Sequence, residues 1–247
     1  MYLCTLELGP DADRRPAFRR EVMTLGGAHR ALWQVFSRDS EQQRDFLFRA
    51  ETDAWGRPRF ITLSAQPPVE TTGAQLWTII AKPFNPKLSV GDRLGFSLRA
   101  NATVARKGQG QRRSQRHDLV MDAKWRADTA GHPFDLVVAM REAGERWLIA
   151  QARQAGFEIA QGVVARIGDD GLFEKVTANL LSTKDYQQHR LARKGGNPIR
   201  FSTVDFEGVL VVREPGTFLE QVRLGFGHQK AFGCGLMVLR KVVNEMA

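Results

Sequence analysis

Residues 1–8, MYLCTLEL, alternate side chains between two faces and predict a strand. A charged connection follows through Arg20, and residues 25–36 then put Leu32, Trp33 and Phe36 at helical spacing on one face. Residues 45–51 (DFLFRAE) and 59–64 (RFITLS) predict two strands, joined by a turn in which Trp55-Gly56 and Pro58 supply the turn chemistry. That is a β-α-β-β order. Residues 77–81 and 92–100 add two strand candidates across a loop holding Pro83, Pro86 and Gly91, so the first half reads as an elaborated split β-α-β unit.

Hydrophobicity is lost over residues 101–120, which predict a flexible basic loop. Residues 133–155 carry Leu136, Val137, Met140, Trp147, Leu148 and Ala152 as a helix should, and residues 162–167 follow as a short strand. Residues 173–181 are ambiguous, and 184–200 predict a second basic, glycine-containing connection. A strand over 200–212, a short helix over 215–224 and a last strand over 236–242 complete the pattern. The expectation is two related α+β units, residues 1–128 and 133–247, although no internal repeat proves a duplication.

One stretch fits neither period. Gly225-Phe226-Gly227-His228-Gln229-Lys230-Ala231-Phe232-Gly233-Cys234-Gly235 has glycines in the pattern G-x-G-x5-G-x-G, a costly composition inside a helix or strand. Such a loop offers backbone amides to phosphate, with Lys230 as a point charge. A glycine-rich turn packed against a neighbouring helix is the structural alternative. The spacing matches neither a Walker A loop nor the G-x-G-x-x-G dinucleotide fingerprint.

Charge narrows the partners. The 247 residues hold 36 Lys and Arg against 27 Asp and Glu, a formal charge of +9, and a polyanion such as nucleic acid is the default partner. Two segments concentrate the excess: Arg106, Lys107, Arg112, Arg113, Arg116 and His117 in one, and His189, Arg190, Arg193, Lys194 and Arg200 in the other, where Gly195-Gly196 permits close approach. Either is a groove-following phosphate contact or a solvated loop. The run Arg223 to Gly227 opens like the basic-glycine-aromatic core of an RRM but continues His-Gln-Lys, so base stacking on a central strand lacks support.

No apolar run reaches the length of a bilayer span, and the N-terminus lacks the shape of a signal peptide. Cys4 and Cys234 are far apart and outside any metal-ligand spacing, which argues against a disulfide framework and structural zinc and fits a reducing cytoplasm. Carboxylate clusters that would hold two metals are absent, and so is a G-x-S-x-G elbow. Metal-free RNA cleavage is the better nuclease route, because the adjacent 2′-hydroxyl can attack the phosphodiester if protons are moved and charge is stabilised. His29 shares its helical face with Leu32, Trp33 and Phe36; it is either a boundary histidine or, just after Gly26-Gly27, a proton-transfer group facing a cleft.

With His29-Arg30-Ala31-Leu32-Trp33-Gln34-Val35-Phe36, Asp45-Phe46-Leu47-Phe48-Arg49, Leu98-Arg99-Ala100-Asn101, Phe206-Glu207-Gly208-Val209-Leu210 and the glycine motif in order, the chain resembles the CasE family from Met1 to about Leu239. These are the CRISPR RNA endoribonucleases of type I-E Cascade systems. The resemblance implies an α+β fold of two tandem ferredoxin-like (RRM-like) domains with antiparallel sheets. It further implies a CRISPR repeat stem-loop as substrate, cut at its 3′ base to leave a 2′,3′-cyclic phosphate and a 5′-hydroxyl. No metal or other cofactor, retention of the product as a Cascade subunit, and a monomer outside that complex complete the expectation. His29 falls on the family's catalytic histidine in H-x-x-L-W, and Lys230 on the lysine between the glycine pairs, with Gly225, Gly227, His228, Gly233 and Gly235 as its RNA-facing surroundings. The segment from Arg106 to Arg116 corresponds to a groove-engaging loop, and His189 to Arg200 to a further RNA-facing region. In one departure, many relatives carry a tyrosine three positions before the histidine, where this chain has Gly26.

Overall fold

The first sheet is built around β1 (Tyr2–Leu8), and the chain continues through α1 (Pro16–Val22), α2 (Leu25–Phe36), β2 (Phe46–Thr52), β3 (Pro58–Ser64) and β4 (Trp77–Pro83). This is a computed structural model, and it describes residues 1–36, 45–69, 75–107, 113–167, 172–192 and 195–242. Strand β1 pairs antiparallel with both β3 and β4, and β3 pairs with β2, giving the order β2-β3-β1-β4. Alternation puts Cys4 and Leu6 on the covered face, where they join Leu32, Val35 and Phe36 of α2 and Phe46, Phe48 and Phe60 of the sheet. Helix α1 lies in the stretch expected to be a charged connection. Its first residue is Pro16, as helix starts favour, and Val22 is its one buried residue, so the apolar period is too weak to show in the sequence.

The second sheet begins with β5 (Arg93–Ala100), followed by a hairpin of β6 (Thr103–Arg106) and β7 (Gln115–Asp118), then α3 (Leu119–Ala130) and α4 (Leu136–Gln154). Next come β8 (Phe157–Ile159), the ribbon β9 (Gln161–Ile167) and β10 (Phe173–Asn179), β11 (Leu181–Leu191), β12 (Ile199–Val212), α5 (Pro215–Leu224) and β13 (Met237–Lys241). The order is β11-β12-β5-β13, with β8 paired to the far end of β12. Thus β8 and β11 together act as one strand along β12, interrupted by the β9–β10 ribbon. Each sheet therefore repeats the second-third-first-fourth strand order of a ferredoxin-like unit.

By contacts the chain divides into Met1–Lys87 with Arg223–Leu236, and Leu88–Val222 with Met237–Ala247. The boundary expected at 128–133 lies within the second of these units. The reason is pairing: residues 93–100, which end the first half on sequence pattern, bond to β12 and β13. The glycine motif correspondingly belongs to the first unit and the basic hairpin to the second.

Segments expected as basic connections are also more ordered than their composition implies. Eight of residues 101–120 form the paired strands β6 and β7, and most of 184–200 is strand. Charged side chains hide the period because these strands cover no core of their own.

Phe206 anchors the second core, fully buried and stacked on Trp147 of α4 with centroids 5.5 Å apart. Phe206→Ala is expected to lower stability by about 3–5 kcal/mol, read as a fall in the denaturation midpoint.

Candidate functional site

Helix α2 starts where Thr24 accepts a hydrogen bond from the Gly27 amide at 3.1 Å and donates its own hydroxyl to the Glu21 carbonyl at 2.9 Å. Gly27 is forced by packing, since a Cβ there would lie 2.0 Å from the Glu21 carbonyl oxygen. Next to it, Gly26 faces open space apart from Arg30, whose guanidinium is 3.7 Å from where a Cβ would stand and is held by Glu21 at 2.9 Å. One turn on, His29 projects over the aromatic end of the core. Its ring stacks on Phe46 at 6.2 Å and meets Phe48 at 6.4 Å and Trp33 at 5.8 Å between centroids. The residue is half-buried and its Nε2 is shielded from solvent.

The glycine motif reaches the same place. Its turn Lys230–Phe232 packs on α2 and β2. Gly225, Gly227, Gly233 and Gly235 all take φ between 68° and 93°, the left-handed region that L side chains avoid. A Cβ at Gly225 would meet Leu47 at 2.8 Å, and one at Gly233 would meet Phe48 at 3.2 Å, so the loop lies directly on β2. Phe48 thus touches both the His29 ring and the loop carrying Lys230. The Lys230 ammonium donates to the carbonyl of Leu224 at 2.6 Å, a cation capping the last residue of α5. His228 is half-buried in the same loop.

The second unit gathers the basic segments. Lys107, Arg113, Arg116 and His117 are exposed on or beside the β6–β7 hairpin, whereas Arg106 is partly buried and bonded to Asp122. Arg190 and Arg200 stand directly opposite each other across β11 and β12, both exposed. Like charges so placed destabilise a sheet, which an anion between them would relieve. His189 contacts the Thr203 hydroxyl through Nε2 at 2.9 Å and packs on Phe201 at 4.8 Å. Arg112, Arg193 and Lys194 lie outside the described residues.

Sequence reasoning missed the groups that tie these segments together. Asp118 ends β7 and caps α3, accepting the Met121 amide at 2.7 Å, the Tyr186 hydroxyl at 3.1 Å and the Ser202 hydroxyl. One carboxylate thereby joins the hairpin to β11 and β12. Burial, reinforced by Asp118, pushes the Tyr186 hydroxyl up to about 12, so it stays a donor. Arg99 and Asp205 form a bidentate pair at 2.7 Å, with Asp205 buried. An aspartate just before the apolar pair Leu119-Val120 is a readable capping signal, but nothing in sequence links Arg99 to a partner so far along the chain.

Among the described residues no three His, Cys, Asp or Glu side chains are grouped to hold a metal ion, and no helix is long and apolar enough to cross a membrane. Both cysteines are buried free thiols.

A family model described as CRISPR associated protein matches residues 1–241. The CRISPR-associated endoribonuclease Cse3 of Thermus thermophilus is 26% identical, over 96% of this chain and 98% of that protein. The CRISPR system Cascade subunit CasE of Escherichia coli is 29% identical, over 90% of this chain and 94% of its own. A solved CRISPR endoribonuclease Cse3 bound to a 19-nucleotide RNA superposes with a TM-score of 0.71 at 24% identity, covering 97% of this chain and 100% of that one. That likeness establishes the shared fold.

Burial first, and the nearby Arg99 charge second, hold His189 below its ordinary value of 6.5. The unfolded chain therefore takes up this proton at a higher pH than the folded one. The stability contributed by neutral His189 should be complete above the ordinary value and be lost as pH falls through the depressed one. Between about pH 7.5 and 5, the urea midpoint of the wild type should fall further than that of His189→Gln.

Proposed function

The chain belongs to the CRISPR-associated protein family, and from that premise we propose that it is a metal-independent endoribonuclease of CRISPR precursor RNA. It cuts at the 3′ base of the repeat stem-loop and stays on its product as a subunit of a Cascade-type complex. The relatives' names, an endoribonuclease and a Cascade subunit, support the activity and the assembly. One structural observation carries the site: Phe48 contacts both the His29 ring and the glycine loop of Lys230, so an imidazole and an ammonium from distant parts of the sequence share one unit.

In the proposed step the 2′-hydroxyl oxygen bonds to phosphorus as its proton leaves, the bond from phosphorus to the 5′-oxygen breaks, and that oxygen takes up a proton. The products are a 2′,3′-cyclic phosphate and a 5′-hydroxyl. His29 moves a proton in this exchange, and Lys230 with the loop amides offsets the charge growing on the phosphoryl oxygens. Nε2 is buried among the aromatic rings, so its use in proton transfer requires the ring to turn or the packing around it to open when RNA binds. The Lys230 ammonium donates to the Leu224 carbonyl and carries three N–H groups, so it can reach a phosphate with or without giving up that bond. In the second unit the opposed Arg190 and Arg200 and the exposed cations of the hairpin hold the stem.

A non-catalytic stem-loop-binding subunit of the same fold is the second reading, favoured by the shielded Nε2 and by Gly26 where many CasE relatives have tyrosine. Cleavage of a repeat hairpin RNA in EDTA separates the two. The wild type should cut, His29→Ala should be slower by about 10²–10⁴-fold, and an RNA lacking the scissile 2′-hydroxyl should survive. Cutting of the deoxy RNA would remove the proposed nucleophile, and tight binding without cutting would select the second reading.

A further inference from the structure

Between the β6–β7 hairpin and α3 lies a cleft of about 490 Å³, lined in part by Lys107, Gln115, His117, Met121 and Trp125. That volume falls within the range of small-ligand pockets. Trp125 is 57% exposed, a large indole left open beside a concentration of cations. The guanidinium of Arg106 stands over its ring, 4.4 Å from the centroid. It is fixed there by Asp122, which also binds Arg126 at 3.1 Å.

The two carboxylates at the cleft do not make it acidic. Asp122 is neutralised by its two arginines, and Asp118 accepts from the Met121 amide, Tyr186 and Ser202. What faces a ligand is an aromatic and guanidinium platform rimmed by positive charge. A protein partner would bring no phosphate for that rim, whereas a nucleotide brings a flat base and a phosphate together.

We propose that Trp125, with Arg106 held over it, stacks an unpaired nucleotide that flanks the RNA stem. Bases inside a duplex already cover one another's faces, so an unpaired one alone can offer its face to the indole. The inference rests on the RNA-binding reading above and assigns to the second unit a contact outside the hairpin.

The test uses the full chain and a repeat-derived RNA hairpin in two forms, with its unpaired flanks and trimmed to the stem-loop, with 2-aminopurine placed at each flanking position in turn. Wild type should quench the fluorescence at one position. Trp125→Ala should abolish that quench and weaken the flanked RNA by about tenfold while leaving the trimmed hairpin unaffected, and Trp125→Phe should retain most of the effect. No quenching by the wild type at any position, or an equal loss on both RNAs, would overturn the proposal. Unchanged RNA affinity with loss of assembly with Cascade subunits would overturn it in favour of a protein contact. Failure of the wild type to bind even the trimmed hairpin would instead overturn the underlying RNA reading, and this proposal with it.

Discussion

The first unit depends on one close approach: the chain returns over residues 223–236 and packs against the edge strand β2, meeting Leu47 and Phe48. A Cβ at Gly235 would stand 2.7 Å from the Phe226 carbonyl oxygen and one at Gly225 2.8 Å from Leu47, and all four glycines take backbone angles that L residues avoid. Around these permissive points the loop is held by burial. Phe226 and Cys234 are fully inaccessible, Leu236 nearly so, and the Phe226 amide bonds back to the Gly235 carbonyl at 2.9 Å. Burying Phe226 alone is worth about 1.5–3 kcal/mol. The result places Lys230 beside the helix that carries His29, which is the geometry on which the proposed chemistry rests.

In the second unit the equivalent constraint is a carboxylate. Asp118 belongs at once to β7, to the start of α3 and, through Tyr186 and Ser202, to β11 and β12. It thereby orders the base of a hairpin that would have little stability as an isolated pair of strands. Local electrostatic tension is retained on the surface, where Arg190 opposes Arg200. Such an arrangement suits the polyanionic ligand proposed above.

Strands β1 to β5, β12 and β13, helix α2 and the anomaly of the glycine motif were legible in the sequence, because each leaves a period or a glycine where the backbone needs one; β8 and β11 were not. The resemblance to CasE supplied the ferredoxin-like character of the two units, and the matching strand order of the two sheets agrees with it. What could not be read was pairing at a distance. Residues 93–100 look like the end of the first half until their partners, β12 and β13, are known. Nothing in the sequence marks Trp125, since its partner Arg106 belongs to a different element and helix α3 has little apolar periodicity. His29 shows the reverse case: its helical face was legible, but the shielding of Nε2 by the packed aromatic residues was not.

The central claim is that His29 and Lys230 serve one chemical step, and a double-mutant cycle on single-turnover cleavage tests it most directly. His29→Ala, Lys230→Ala and the combined variant would be compared with the wild type on the repeat hairpin at saturating protein. If both groups act on the same transition state, the combined loss should fall well short of the product of the two single losses. Losses that multiply in full would mean that the two side chains act independently, and would contradict the shared site.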